Sequence, residues 1–391
     1  METDGRPPRL SILQVLEKGR FSTGSVVQMF ELARGLAARG HRVAIVSRPE
    51  GEVRERARAE GLDFIPLPMR HEFDLPSALR LGKIYGDRSV DIVHAHKGIA
   101  HSVALFATFF SRAKPAIVVN RGVSFPLDPF NRLKYHVRMD AVVTVCEDIR
   151  QVVIASGRLS PEKVHVVYAG VDLARFDPAR ADGSRIRREW GISEHERLLL
   201  QVGAREWKGW RHLLEAARLL APAFPHLVTA VVACENAAEE QKIGAVAREK
   251  GIGGRVRTIG FRSDMPDVLA AADVVVDMSY EGLGITGTLR ESMALGRPVI
   301  ASAAGGNPEL IQDEISGLLV PPRDPEALAG AVSRLLEDPA LRARLALRGR
   351  ERVTQSFSTE VRLDRIETLY GRLIAERAKA GAKEEARSGH R

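Results

Sequence analysis

The chain has 391 residues, 45% of them hydrophobic and 28% charged, with a formal net charge of +8. That length suggests two or three domains, each with a core of its own, and the balance excludes a disordered or fibrous chain. The two cysteines, Cys146 and Cys234, exclude a disulfide scaffold and read as small core residues, and no CxxC or HxxxH cluster points to a structural metal.

The opening Met-Glu-Thr-Asp-Gly-Arg-Pro-Pro has no apolar run of the kind a secretory signal needs, and the longest weakly polar stretch, 98–110, is too short to span a bilayer. A cytoplasmic protein is expected. An apolar strand is predicted at 10–16, followed by a loop over 17–25. Residues 26–39 carry Val26, Phe30, Ala33, Leu36 and Ala37 at helical spacing, Gly40 stops that helix, and 41–47 is the next strand. Further strands are predicted at 65–67, 91–95, 116–119, 141–145 and 164–167, with helical stretches between several of them. Phe106, Phe109 and Phe110 read as packing a core helix in preference to touching lipid. A polar stretch with Pro and Arg over 172–191 reads as a linker, after which the alternation restarts. It runs through strand 198–202, helix 213–220, strand 228–233, helix 239–250 and strands 256–259, 272–278, 297–302 and 317–320. Helix 325–336 and a helical tail over 359–378 complete the order, with 379–391 expected to be frayed.

Strands alternating with helices imply parallel sheets covered on both faces. The expected fold class is therefore α/β, with two doubly wound domains over 1–175 and 194–356. A linker at 176–193 joins them, and a helix at 357–378 is expected to pack back on the first domain. Such sheets bind ligands at the carboxyl ends of their strands, so two of them facing across a cleft could hold a donor and an acceptor.

The span 279–296 carries the most chemistry. A glycine-bearing loop leaves the strand 272–278 and opens into a short helix near Thr288. Free N–H groups at a helix start, approached by a loop without bulk, suit a phosphate. Glu281 and Glu291 bracket that site. Carboxylates repel phosphate, so their partners are expected to be ribose and sugar hydroxyls, and the combination describes a nucleotide-sugar. Gly282-x-Gly284-x-x-Gly287 also matches the dinucleotide fingerprint. Ser279, Tyr280 and Glu281 separate it from the strand, however, and the next strand ends in Ala301-Ser302 without a carboxylate.

The charge is uneven. Residues 1–180 hold 27 basic against 20 acidic side chains, and the remainder 31 against 30. A basic first half suits an anionic membrane surface or a phosphorylated acceptor, with Lys97, Arg121, Arg132, Lys134 and Arg138 as candidate contacts, or else is solubilising surface. No nucleic-acid motif accompanies it.

Several segments together resemble the family 4 glycosyltransferases, a retaining, nucleotide-sugar-dependent class of the GT-B fold with two Rossmann-like domains. The resemblance covers nearly the whole chain. Its carriers are the run 30–46, Asp91-Ile-Val-His-Ala-His96, Val166-Val-Tyr-Ala-Gly-Val-Asp172 with Phe176, and Val202-Gly-Ala-Arg-Glu-Trp-Lys-Gly209. Gly260-Phe-Arg-Ser-Asp-Met-Pro-Asp267, the 279–296 span and Ala304-Gly-Gly-Asn-Pro-Glu-Leu310 complete the set. The resemblance implies that Glu281 meets the transferred sugar and Glu291 holds the ribose. Donor contacts would come from Gly282, Leu283, Gly284, Ile285, Thr286, Gly287, Thr288 and Leu289, with backbone N–H groups between Ile285 and Leu289 on the distal phosphate. Arg205 and Lys208 would neutralise the departing diphosphate. Gly24, His94, His96 and Arg121 would be contacts in the first domain, although histidines at a strand end are more often structural. No cofactor or metal is implied, since the nucleotide-sugar is a co-substrate, and the acceptor would be a glycan or a lipid-linked species. The stretch 120–135 resembles members that build lipopolysaccharide or related bacterial surface glycans. Two departures stand out. Nine residues separate Glu281 from Glu291, more than the family spacing, and Arg205 sits closer to Lys208 than is usual. A nucleotide-sugar epimerase and a non-catalytic nucleotide-sugar binder are the alternative readings.

Overall fold

In the computed structural model, which describes residues 9–19, 24–281 and 284–388, the chain divides into two units. One comprises Met1–Tyr168 with Thr359–Arg391, the other Ala169–Ser358.

The first unit is built on seven strands: β1 (Ser11–Val15), β2 (Arg42–Ser47), β3 (Asp63–Pro66), β4 (Ile92–Ala95), β5 (Ala116–Arg121), β6 (Ala141–Thr144) and β7 (Val164–Val166). They lie in the order β3-β2-β1-β4-β5-β6-β7 and every pairing is parallel. Leu13 of β1 stands between Ala44 of β2 and Val93 of β4, where the direction of strand addition reverses. The second unit has β8 (Arg197–Val202), β9 (Leu227–Cys234), β10 (Val256–Gly260), β11 (Val274–Asp277), β12 (Val299–Ser302) and β13 (Leu318–Val320) in the order β10-β9-β8-β11-β12-β13, again all parallel. Its reversal falls between β8 and β11, with Leu200 paired to Val275. Inner strands such as β4, β11 and β12 are buried along their whole length. That matches the near-continuous apolar runs of a sheet covered on both faces.

Many helices start where an Asp or Asn side chain takes a free N–H group. Asp74, Asp128, Asn236, Asp324 and Asp338 accept from Ser77, Asn131, Glu239, Ala327 and Leu341 at 2.8–3.1 Å. The helices that leave β8 and β11 differ: neither Gly209 nor Thr286 caps through a side chain.

The last helix, Thr359–Ser388, belongs to the first unit and runs ten residues beyond its expected end at 378. Leu363, Ile366, Tyr370 and Leu373 recur at helical spacing and lie in one core cluster with Ile12, Phe30, Ile45 and Val118. A Cβ at Gly35 would press on the Leu363 side chain, so the glycine lets the helix pack closely there. Its polar flank is anchored as well. His41 Nε2 lies 2.8 Å from Glu367, and Arg377 grips Asp140 at 2.8–2.9 Å. The stretch expected as a linker, 176–193, contains the helix Gly183–Glu189, whose Arg185 and Arg187 pair with Asp267 and Asp273 of the second unit. Its polar composition reflects ion pairing across a packed helix rather than free chain.

Candidate functional site

The carboxyl ends of β8 and β11 meet at the reversal point of the second sheet, the place where doubly wound folds take ligands. From β11 the chain passes through Met278, Ser279, Tyr280 and Glu281 and re-enters at Gly284 before the helix Gly287–Ala294. Gly282 and Leu283 lie outside the described residues. Gly284, Ile285 and Thr286 form the approach to the helix, and Arg290, itself buried, pins it by donating to Ile285 O at 2.9 Å. Thr286 is extended at the N-cap position, yet its hydroxyl is buried and has no partner among the described residues. The first N–H groups of the helix, on Gly287, Thr288 and Leu289, are therefore not taken by a side-chain cap and carry the partial positive charge of a helix start. Buried polar atoms are almost always paired, so an orphaned hydroxyl beside an uncapped helix start fits an absent anionic ligand.

The loop after β8 lies against this one. Tyr280 N donates to Trp207 O at 3.1 Å. Gly209 has φ +74°, and a Cβ there would collide with the Met278 carbonyl, so glycine is what lets the two loops touch. Lys208 stands just before it. Its ammonium lies 3.4 Å from Asp277 Oδ2 at the end of β11 and 5.0 Å from the Trp207 ring centre. Asp277 is buried and also accepts from Ser279 N at 3.0 Å. Lys208 is thus a partly buried cation paired with a buried carboxylate, set at the strand end from which the phosphate-type loop departs. Arg205, three residues earlier, is exposed and donates through Nε to Glu235 at 2.8 Å. The two bases expected to act together are held on different carboxylates.

Glu291 lies within the helix. Burial pushes its carboxyl above the ordinary carboxylate range, with Arg290 and Arg175 pulling the other way. Glu281 is exposed. Ser279, Ser302 and Asn307 extend the polar floor: Ser302 donates to Ser279 O, Asn307 donates to Ser302 O at 3.1 Å, and the Ser279 hydroxyl and Asn307 Oδ1 are buried without partners among the described residues.

Comparison with known proteins gives this geometry its family. Residues 22–175 match Glycosyltransferase Family 4, and residues 182–352 match the glycosyl transferases group 1. The chain belongs to the family 4 glycosyltransferases. Among curated relatives, a D-inositol 3-phosphate glycosyltransferase of Salinispora tropica is 36% identical over 231 residues, covering 55% of this chain. The match spans only 47% of that relative's own length. Among solved structures, a glycosyltransferase from Rickettsia africae superposes with a TM-score of 0.86 at 21% identity, covering 94% of this chain and 99% of its own. Anabaena HepE in complex with UDP superposes with a TM-score of 0.81 at 20% identity, covering 92% and 99%. These likenesses establish the GT-B fold for this family 4 member.

The first-unit residues singled out by the resemblance are less gathered. His94 and His96 are buried and stacked with ring centres 4.5 Å apart. His94 Nδ1 meets Tyr370 OH at 2.7 Å and His96 Nε2 meets Gln14 Oε1 at 2.6 Å. Burial holds His94 neutral, with its pKa lowered to about 3. The pair ties β1 and β4 to the last helix. Gly24 opens the helix Gly24–Ala38 with free space where a Cβ would go. Arg121 ends β5 and donates to Phe125 O. Lys134, read from sequence as a surface charge, is buried and meets Glu72 at 3.2 Å and the Ser102 hydroxyl at 3.3 Å. Sequence reasoning missed Asp277, although an acid closing an otherwise apolar buried strand was a visible signal. It also left out the side chains of Ser279, Ser302 and Asn307, where only the quoted Gly-Gly-Asn-Pro run hinted at a role.

Proposed function

We propose that this family 4 member transfers a sugar, with retention, from a nucleotide-sugar donor to a hydroxyl of a glycan or lipid-linked acceptor. The observation that carries the reading is the uncapped start of the helix Gly287–Ala294, with the orphaned Thr286 hydroxyl beside it. The N–H groups there take the distal phosphate. Lys208, already drawn to the end of β11, adds positive charge where the leaving diphosphate gains negative charge. Fixed charge aimed at developing charge is the usual source of catalytic stabilisation, and here it performs the part a metal ion would otherwise play. Glu291 accepts from the ribose hydroxyls and Glu281 from those of the sugar. The bond from the anomeric carbon to the phosphate oxygen breaks, the acceptor oxygen bonds on the same face, and its proton passes to a donor phosphate oxygen. The nucleoside diphosphate then departs. The UDP bound in the Anabaena relative makes UDP the first nucleotide to try, and the resemblance of 120–135 supports a role in bacterial surface-polysaccharide or lipopolysaccharide synthesis.

A thermal-shift series over UDP, GDP, ADP and their sugar conjugates tests the donor site. Ligand at 100 times its Kd stabilises the native state by about 2.7 kcal/mol. One nucleotide diphosphate should raise the melting temperature and its conjugates should follow. If none of the three does so, the reading fails. Release of that diphosphate from a conjugate then separates a transferase from a protein that only binds.

A further inference from the structure

The helices Leu75–Asp87 and Gly98–Phe110 of the first unit pack on one another, with Tyr85 OH donating to Ala104 O at 3.1 Å. Their outer face is apolar. Leu75 and Leu79 are 49% and 52% exposed, and Phe109 and Phe110 are 54% and 47% exposed. Of the two readings of the phenylalanines, core packing or contact with lipid, core packing does not hold for Phe109 and Phe110, which sit at the last turn of the helix and are exposed. A Cβ at Gly82 would lie 3.4 Å from Phe110 Cβ, so the apolar row Leu75–Leu79 continues across Gly82 onto the second helix. On the other side the Arg138 guanidinium lies 5.0 Å from the Phe109 ring centre.

The charge on this face is mostly basic. Between 75 and 86, and again between 97 and 114, there is no Asp or Glu, whereas Arg80, Lys83, Lys97, Arg112 and Lys114 are all present. Arg80, Lys83, Arg112 and Arg138 are exposed. Of the nearest acids, Glu72 holds Lys134 and Asp74 is buried as a helix cap, while Asp87, at the end of the first helix and one turn beyond Lys83, is exposed. Exposed aromatic and aliphatic side chains rimmed by an excess of bases complement one kind of surface, an anionic headgroup layer above hydrocarbon.

We propose that this face docks the protein onto an anionic phospholipid bilayer, with Leu79, Phe109 and Phe110 entering the headgroup boundary and Arg80, Lys83, Arg112 and Arg138 meeting lipid phosphates. The docking surface lies entirely within the first unit and stands apart from the donor reading, so either can fail alone. The test is co-sedimentation of the full chain with vesicles of phosphatidylcholine alone or mixed with phosphatidylglycerol, at low and high salt. Binding should require phosphatidylglycerol and fall steeply with salt. Arg80→Glu/Lys83→Glu should weaken it on the order of 30-fold or more, taking the usual worth of each base near an anionic surface. Phe109→Ser/Phe110→Ser should weaken it at low salt too. Both variants change exposed positions and should keep the wild-type melting temperature and nucleotide binding. The proposal is overturned if the wild type ignores phosphatidylglycerol at low salt, binds both vesicles equally, or binds as well with either pair replaced. It also falls if Phe109→Ser/Phe110→Ser dissolves a self-association while leaving vesicle binding intact, since the face is then a protein interface.

Discussion

Lys208→Ala tests folding and chemistry at once, because the structure makes Lys208 a partner of a buried carboxylate as well as a candidate phosphate contact. The ammonium is 3.4 Å from Asp277 Oδ2, with side-chain exposures of 15% and 2%. At an effective dielectric of about 20 the Coulomb attraction at that distance is roughly 5 kcal/mol. Desolvation of both groups offsets much of it, but removing one partner strands the other, which typically costs about 3–5 kcal/mol for a fully buried pair. Lys208 retains some water, so a loss of about 2–4 kcal/mol in unfolding free energy is expected, read from urea denaturation. Adding Asp277→Asn should recover most of that loss, since the stranded charge is gone. Turnover should not recover, remaining on the order of 10²-fold down in both the single and the double variant. Two results refute the reasoning. If Lys208→Ala is as stable as wild type, the pair is not a buried ion pair. If the double variant regains turnover, Lys208 acted only by supporting Asp277.

Three further outcomes follow from the same geometry. Because the Glu291 carboxyl is raised by burial, its ionised form costs stability above its folded pKa, and that cost vanishes as pH falls below the ordinary value of 4.5; Glu291→Gln should therefore melt higher than wild type at pH 7, converge with it in acid, and bind nucleoside diphosphate roughly ten- to a hundredfold more weakly by calorimetry, whereas Glu281→Ala should weaken only the intact donor. Ending the chain at Ser358 removes Leu363, Ile366, Leu369, Tyr370 and Leu373 from the first core, on the order of 10 kcal/mol of burial and comparable to a whole domain's stability, so the truncated protein should lose near-UV circular dichroism and expose surface to a hydrophobic dye. His101 is buried with both ring nitrogens unpaired among the described residues, and burial lowers its pKa from 6.5 to about 3; the unfolded chain binds that proton first, so stability should fall as pH drops from 6.5 toward 3, and His101→Leu should reduce the slope of the urea-midpoint profile over that window, His94 and His165 keeping the rest, without loss at pH 7.

The sequence by itself determined whatever is local or periodic. Apolar runs such as 274–276 and 299–301 become strands buried on both faces, because nothing polar in them needs water. A glycine loop leading into an apolar-patterned helix marks the anion-type helix start within a few residues, because backbone geometry there depends only on immediate neighbours. Tertiary structure decided what depends on residues far apart in the chain. Lys208 meets Asp277 across 69 residues, His94 meets Tyr370 across 276, and Lys134 leaves the surface to meet Glu72 across 62. No periodicity encodes such partners, since each pairing is selected by where whole elements pack and by the cost of leaving a buried charge or donor alone. The same limit explains Phe109 and Phe110. With Phe106 they fall at i, i+3 and i+4 on one side of a helix, but only the packing of Leu75–Asp87 against that helix decides whether that side is covered or open.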